Sequence, residues 1–140
     1  MSEYLTLLGF DYGWKSIGVA VGRTFTRQAQ ALDAIHASRG QPDWQKLDKL
    51  VAEWQPDELV VGLPLNMDGT EQRTTKQAQA FGKQLQDRYN LPLHFVDERL
   101  TSREARNGLE QNATRRSKLK QATDMLSAQI ILQNWLNQSD

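Results

Sequence analysis

The sequence predicts an α/β fold with a mixed five-stranded sheet, in which the first three strands are antiparallel and helices cover both faces. Three apolar segments near the start are separated by turn residues, which is typical of strands that pair as hairpins. Strand-like and helix-like segments then alternate, which predicts parallel strands joined by helices. A chain of 140 residues suits one hydrophobic core, so residues 1–140 are expected to form a single domain.

The sheet is predicted to open with Tyr4–Phe10 and Ser16–Gly22, two short apolar runs. Asp11-Tyr12-Gly13 lies between them and has the composition of a turn, which favours a hairpin. Residues 28–35 are expected to add a third strand, although their apolar pattern is weaker.

The first helix is predicted to begin at Pro42 or Asp43 and to end at Trp54, because apolar side chains recur there at helical spacing. Proline also suits the first position of a helix. Glu58–Leu63 is apolar almost throughout, which predicts a strand buried on both faces of a parallel sheet. Residues 64–70 are expected to form a loop before a second helix that ends near Tyr89.

The last third of the chain is predicted to add one strand and two helices. Leu91–Asp97 has the composition of a strand. Thr101 and Glu104 have the spacing of a capping box, which predicts the start of a short helix. A polar connection is expected up to Lys120, and the final helix is predicted over residues 121–137.

The composition excludes several kinds of protein. The chain has no cysteine, which excludes disulfides and thiolate metal sites and is compatible with the cytosol. No apolar run is long enough to span a membrane, and the first residues lack the features of a signal peptide. A cytoplasmic protein with no membrane partner is therefore expected. Neither a serine nucleophile motif nor a glycine-rich phosphate loop is present in the sequence.

Basic residues concentrate in one segment, although the whole chain carries 17 basic and 17 acidic residues. Residues 99–120 contain seven basic side chains against two acidic ones. Such a segment in a neutral protein indicates either a local contact with a polyanion or an ordinary solvated surface. The side chains that we expect to contact nucleic acid are Lys15, Arg99, Arg115, Arg116, Lys118 and Lys120.

Two predicted strands end in acidic residues. Asp11 follows the first strand, where it either shares a site at the end of the sheet or closes the hairpin by accepting backbone N–H groups. Asp97 and Glu98 end the strand that begins at Leu91. Since successive side chains point to opposite faces, at most one of them is expected to share a site with Asp11. Their alternative role is to place negative charge ahead of the helix predicted at Thr101.

Asp124 lies in the final predicted helix, in line with the apolar residues Ala128, Ile131 and Trp135. A carboxylate on an apolar stripe is unusual, because charges are rarely buried unless they are paired or bind a metal. The alternative is an acidic residue of the first helical turn that reaches solvent and interacts favourably with the helix dipole.

The sequence thus predicts one site to which two strand ends and the last helix contribute carboxylates. Carboxylates placed close together repel one another, and a cation removes that repulsion. An all-oxygen site suits Mg²⁺ or Mn²⁺, and a pair of such ions can activate water for hydrolysis of a phosphodiester. The two histidines, His36 and His94, lack the spacing of a zinc site, and His94 is expected to be a hydrogen-bonded structural residue.

Four stretches of the sequence resemble the motifs of the YqgF family, bacterial proteins described as candidate nucleases of pre-16S ribosomal RNA or candidate Holliday junction resolvases. The resemblance keeps the family's motif order along essentially the whole chain. Its motifs fall on Gly9–Gly13 with Lys15–Ala20, on Val60–Gly69, on Asp97–Ser102, and on Asp124 with Ser127-Ala128 and Ile130–Leu132.

The resemblance implies an RNase H-like fold in which Asp11, Glu98 and Asp124 are the catalytic and metal-binding residues. It favours Glu98 over Asp97. From the oxygen-only donor set, Mg²⁺ or Mn²⁺ is expected as the cofactor, with two ions. The chain departs from the family pattern beside Asp124, where Ala122 occupies the place of the family's usual lysine. No lysine role is therefore carried over to that position.

The leading functional hypothesis is a metal-dependent nuclease that acts on RNA during maturation of the 5′ end of pre-16S rRNA, in contact with a ribosome or pre-ribosomal particle. The alternative enzyme is a resolvase of branched DNA, which makes two coordinated cuts and so needs a symmetric dimer. A monomer or weak dimer is expected, with Trp14 or Trp135 as the candidate dimer contact.

Two non-nuclease hypotheses are less consistent with the sequence. A nucleotide-binding module of the sugar-kinase or actin type needs two such domains around its nucleotide, and 140 residues hold one. A non-catalytic adaptor that binds nucleic acid through the basic segment would leave Asp124 on an apolar stripe unexplained.

Overall fold

A computed structural model of the protein describes residues 4–98 and 116–138. Six strands and three helices lie in these ranges, and none of these helices is long and apolar enough to cross a membrane. In chain order the elements are β1 (Thr6–Asp11), β2 (Ser16–Arg23), β3 (Gln28–Ser38), β4 (Gln41–Pro42), α1 (Trp44–Trp54), β5 (Glu58–Leu63), α2 (Arg73–Tyr89), β6 (Leu93–Asp97) and α3 (Arg116–Gln138).

The strands form one mixed sheet in the order β4-β3-β2-β1-β5-β6. The first three strands pair antiparallel, whereas β5 runs parallel to β1 and β6 runs parallel to β5. The predicted mixed sheet, with antiparallel strands first, is therefore confirmed. The parallel strands finish at Asp11, Leu63 and Asp97, and this end of the sheet is called the carboxyl end below.

The sheet has one strand more than the five predicted, because Gln41–Pro42 forms the short edge strand β4. Pro42 is paired with Ala37 of β3, so its predicted place at the start of the first helix is wrong. An edge strand tolerates proline, which has no N–H to donate. The helix is capped instead by Asp43, whose carboxylate accepts a hydrogen bond from the backbone N–H of Lys46 at 3.3 Å.

Several predicted boundaries also differ from the structure, among them that of β1, which spans Thr6–Asp11 rather than Tyr4–Phe10. β3 continues to Ser38 rather than ending at residue 35, and β6 begins at Leu93 rather than at Leu91. α3 begins at Arg116 rather than at residue 121. Its first residues are mostly polar and carry little apolar periodicity, but arginine, lysine and leucine are good helix formers. The short helix predicted at Thr101 lies outside the described residues.

Two hydrophobic clusters cover the two faces of the sheet, as predicted. On one face, α1 and α2 pack on the strands through residues such as Leu47 and Phe81. On the other face, called the α3 face below, α3 packs on the strands through residues such as Leu132. Side chains alternate along each strand, so Leu7 of β1 belongs to the α3 cluster while Leu8 belongs to the opposite one.

A charged cluster around Asp48 joins α1 to α2 at the surface. The guanidinium of Arg88 donates to both carboxylate oxygens of Asp48, at 2.8 and 2.6 Å. The Tyr89 hydroxyl donates to the same carboxylate at 2.6 Å. These hydrogen bonds, first from Arg88 and then from Tyr89, lower the pKa of Asp48 to about 2.

Replacing Asp48 by asparagine is expected to lower the free energy of unfolding at neutral pH, and the effect should vanish in acid. A carboxyl group whose pKa is lowered by folding stabilises the native state above its unfolded pKa of about 3.9. This contribution is lost as the pH falls through about 2. Urea unfolding curves of wild type and Asp48→Asn should therefore differ near neutral pH and converge in acid. A difference that stays constant with pH would contradict the ion pair as its cause.

Candidate functional site

Asp11 is the last residue of β1, at the carboxyl end of the sheet. Its Cα is paired with that of Gly18 on β2, and the register between β1 and β5 places it beside Gly62. Leu7, four residues earlier on the same strand, belongs to the cluster on the α3 face. By strand alternation the half-buried side chain of Asp11 points to the same face.

Glu98 directly follows β6 and lies inside the protein. Its side chain is 4% exposed, whereas the neighbouring Asp97 is exposed. The backbone N–H of Glu98 donates to the carbonyl of Leu63 at 3.1 Å, which holds Glu98 at the end of β5. Val96, two residues earlier, belongs to the cluster on the α3 face. The side chain of Glu98 therefore points to this face and that of Asp97 away from it.

Gly62 on β5 leaves the space that the Glu98 carboxylate occupies. A Cβ atom at residue 62 would lie 2.6 Å from Oε2 of Glu98 and 2.5 Å from Cδ1 of Ile131. Both distances are shorter than real Cβ contacts, so any larger residue here would have to displace the ends of these two side chains. Because Gly62 lies beside Asp11, the Glu98 carboxylate is placed next to Asp11 on the α3 face.

Asp124 reaches the same region from α3, where its side chain is 3% exposed. A Cβ atom at Gly18 would lie 1.9 Å from the backbone carbonyl oxygen of Asp124, so the helix backbone rests directly on β2. Gly18 is the residue paired with Asp11. Ala128 and Ile131, which continue the stripe predicted from the sequence, are fully buried.

The fold thus brings the side chains of Asp11, Glu98 and Asp124 to one end and one face of the sheet. Two of these carboxylates are almost completely buried, and a buried charge is costly unless a hydrogen-bond donor, a proton or a cation balances it. Among the residues that the structure describes, no three acidic or histidine side chains are gathered closely enough to hold a metal ion. Binding of an ion at this place would therefore require the side chains to turn towards one another.

Ser16 is a further polar residue at this end of the sheet, and it was not expected from the sequence. It precedes Gly18 by two residues on β2, so its side chain also points to the α3 face. The residue is 9% exposed, and its hydroxyl oxygen has no hydrogen-bond partner within the described ranges. The sequence does contain a signal for this position. Ser16 lies two residues before Gly18 at the start of an apolar strand, and alternation predicts that both point to the same face.

The side chains expected to contact nucleic acid lie only partly within the described structure. Lys15 is exposed in the loop between β1 and β2, near the carboxyl end of the sheet. Arg99 and Arg115 lie outside the described residues. Arg116, Lys118 and Lys120 lie on the first turns of α3, and their side chains are outside the described part of the structure. α3 therefore replaces the polar connection predicted for residues 116–120.

His94 lies away from the carboxylates, on the half of β6 remote from its carboxyl end. Its Nε2 lies 2.5 Å from Oε1 of Glu58. Its ring is stacked on that of Trp135, with the ring centres 4.4 Å apart. The expectation of a hydrogen-bonded structural histidine is confirmed, and the candidate dimer contact Trp135 is half-buried against this ring.

Comparison with known proteins identifies relatives along almost the whole chain. The profile of a family described as RuvX, Holliday junction resolvase, matches residues 5–138. A protein of Aeromonas hydrophila named "Putative pre-16S rRNA nuclease" is 51% identical over 133 residues, which cover 95% of this chain and 95% of that protein. A protein of the same name from Pseudomonas putida is 47% identical over 137 residues, which cover 97% of both chains.

The fold is also found in a solved nucleic-acid complex. The structure of Thermus thermophilus RuvC with a Holliday junction substrate superposes with a TM-score of 0.54 at 13% identity, over 95% of this chain and 94% of that chain. At this identity the likeness concerns the fold alone. It confirms the RNase H-like architecture that the sequence motifs implied.

The close contact between α3 and β2 predicts a large difference between two glycine-to-alanine substitutions. Gly18→Ala would drive a methyl group into the helix backbone, with its nearest atom at 1.9 Å. Gly22→Ala, on the same strand and face, would meet the methyl ends of Leu136 and Leu132 at 2.9 and 3.0 Å, which can shift. Its nearest backbone atom is the carbonyl oxygen of Gln28 at 3.2 Å, a much milder contact than that at Gly18. Gly18→Ala should lower the free energy of unfolding by about 3 kcal/mol or more, the upper end for overpacking, and Gly22→Ala by less. Equal effects in urea unfolding would contradict the backbone contact.

Proposed function

This chain belongs to the RuvX family, and we propose that it is a nuclease that hydrolyses phosphodiester bonds of nucleic acid at Asp11, Glu98 and Asp124. The observation that carries the proposal is the convergence of these three carboxylates on one end and one face of the sheet. A non-catalytic adaptor would have no need for two buried carboxylates beside a third one that is half-buried.

The donor set fits a divalent cation of the Mg²⁺ or Mn²⁺ type. All its donor atoms are carboxylate oxygens, which these hard ions prefer, and the chain has no cysteine that would favour a softer metal. Asp11, Glu98 and Asp124 would hold the metal, and two ions are proposed. When bound, such ions supply Lewis-acid stabilisation of the reacting phosphate and a more acidic water.

Hydrolysis also requires that the carboxylates are positioned and that the substrate is bound beside them, and neighbouring residues can do both. The backbone at Glu98 is held by its hydrogen bond to Leu63, and the backbone at Asp124 rests on Gly18, so both carboxylates start from fixed positions on the chain. Asp11 is only half-buried, so it marks the side from which a substrate enters. Lys15 is exposed close to that side, where its ammonium group can bind a phosphate and position the chain without reading its sequence.

We propose pre-16S ribosomal RNA as the substrate, in its maturation at the 5′ end. Support comes from the relatives of that name, which share about half of all residues with this chain over nearly its whole length. The partner would then be RNA alone or within a pre-ribosomal particle, in the cytoplasm, and a monomer would suffice. The basic residues at 99–120 would extend the phosphate contacts, with Arg99, Arg115, Arg116, Lys118 and Lys120 in that role.

A resolvase of four-way DNA junctions is the second candidate function. It is favoured by the description of the matching family and by the fold shared with the RuvC complex. Two symmetric cuts would require a dimer. Incubation of the purified protein with labelled precursor RNA and with four-way DNA junctions, each in Mg²⁺ or Mn²⁺, distinguishes the two substrates.

Isosteric amide substitutions are expected to abolish cleavage without unfolding the protein. Asp11→Asn, Glu98→Gln and Asp124→Asn keep the shape of each side chain but remove the negative charge that attracts a cation. Loss of a partner in the outer shell of a metal site already costs about 10- to 100-fold, so loss of a ligand should lower the rate by more than about 100-fold. The measurement is cleavage of the labelled substrate under single-turnover conditions.

Thermal melts provide the control for this experiment. An ion that binds only the folded protein stabilises it by about 2.7 kcal/mol at a hundredfold excess over its Kd. Mn²⁺ should therefore raise the melting temperature of the wild type, and Asp11→Asn should lose this response while still unfolding cooperatively. Turnover near the wild-type rate in Asp124→Asn would refute the three-carboxylate site.

A further inference from the structure

The loop that joins β1 to β2 presents a tryptophan close to the carboxylates. Trp14 is 49% exposed, whereas the other three tryptophans are half-buried. A single exposed apolar side chain is common on protein surfaces and by itself indicates nothing. Two features distinguish Trp14: hydrogen bonds hold its loop in place, and Asp11 and Lys15 are close to it in the chain.

Three hydrogen bonds hold this loop on the end of β3 and on the turn between β3 and β4. The N–H of Gly40 donates to the carbonyl of Trp14, and the N–H of Ala37 donates to the carbonyl of Lys15, both at 2.9 Å. The hydroxyl of Tyr12 donates to the carbonyl of Gly40 at 2.7 Å. The backbone on both sides of the indole is therefore fixed, so a ligand that binds there loses little affinity to ordering of the loop.

The six-membered ring of the indole lies over Gly40. A Cβ atom at residue 40 would come within 2.7 Å of Cζ3 and 2.8 Å of Cε3 of Trp14. Gly40 also has a φ of 82°, in the left-handed region that favours glycine. The turn thus supports the ring through its backbone, while half of the residue's surface stays open to solvent.

The position of Trp14 relates it to the proposed chemistry. It follows Asp11 by three residues, which limits the distance between their Cα atoms to about 11 Å. Lys15 is exposed directly after it and adds a positive charge to the same loop. An aromatic ring beside a cation is the combination that holds single-stranded nucleic acid, because the ring stacks on a base while the cation contacts a phosphate.

We propose that Trp14 is a stacking platform for a nucleobase of the substrate, next to the phosphodiester that is cleaved at Asp11. The inference rests on the proposed nuclease function and specifies its substrate class. A base must leave its stack to reach the indole, so single-stranded or distorted segments are bound in preference to regular duplex. A dimer contact is the weaker explanation, because a lone indole is far smaller than the roughly 800 Å² per partner of a stable interface.

The test compares two labelled ligands that differ only in their bases. One is a short oligouridylate, and the other is an oligomer of the same length and charge whose sugars carry no bases. Binding is measured by fluorescence anisotropy in EDTA, which prevents metal-dependent cleavage. Wild type should bind the oligouridylate at least about fivefold more tightly, the lower limit for one stacked base. Trp14→Ala should lose this preference, and Trp14→Phe should keep most of it.

Two further variants serve as matched controls. Phe25→Ala removes an aromatic side chain that is 67% exposed in the turn between β2 and β3, at the opposite end of the sheet, and should leave both affinities unchanged. Lys15→Ala removes a charge and should weaken binding of both ligands by the same factor.

The outcomes separate this inference from the proposed function. Wild type without a preference for the base-carrying ligand, or Trp14→Ala with the wild-type preference, would overturn the stacking role. A shift from dimer to monomer in Trp14→Ala with the preference intact would likewise overturn it. Cleavage of precursor RNA by wild type, measured in Mn²⁺ in parallel, would still support the nuclease. Failure to cleave any nucleic acid would instead overturn the proposed function.

Discussion

The depth at which α3 packs on the sheet decides whether its carboxylate can join those of the strands. At Gly18 the carbonyl oxygen of Asp124 occupies the space in which every other residue has a Cβ atom. Because Gly18 is paired with Asp11, the same contact sets the separation between Asp124 and Asp11. Any larger residue at position 18 would push the helix outward and take Asp124 away from the strand ends.

A second glycine, Gly62, lies on the other side of Asp11. Because it has no Cβ atom, the Glu98 carboxylate can pack directly against the strand there. At Gly18 and at Gly62, other parts of the chain therefore pack unusually close to the strands. Apolar residues such as Ile131 line this end of the sheet. In such surroundings water screens charges poorly, so carboxylates repel one another more strongly and attract a cation more strongly than at the surface. Under the proposed function, the burial that makes the cluster energetically costly would also strengthen its binding of a divalent ion.

Much of this architecture could be predicted from the sequence, because it depends on local patterns. The apolar strand before Asp11, the buried strand Glu58–Leu63 and the apolar stripe below Asp124 each follow from side-chain periodicity within one element. Patterns of this kind do not specify which elements touch. The choice between Asp97 and Glu98 accordingly needed the family resemblance, and the structure now shows Asp97 exposed and Glu98 buried.

The features that the sequence does not predict have different physical origins. The requirement for glycine at position 18 exists only because Asp124 of α3, more than 100 residues later in the chain, rests on it. Proline suits the first turn of a helix, which predicts a helical Pro42, but pairing with Ala37 of the neighbouring strand places it on an edge strand. The predicted start of α3 is too late because polar residues at a helix end show no apolar periodicity.

The most direct test of the central claim is to locate the metal itself. Crystals of the protein soaked in Mn²⁺ would be measured at the manganese absorption edge, where anomalous differences identify the ion without reference to activity. The account predicts one or two anomalous peaks bounded by the carboxylates of Asp11, Glu98 and Asp124, with oxygen ligands at a little over about 2 Å. Peaks elsewhere, with none among these three side chains, would contradict it.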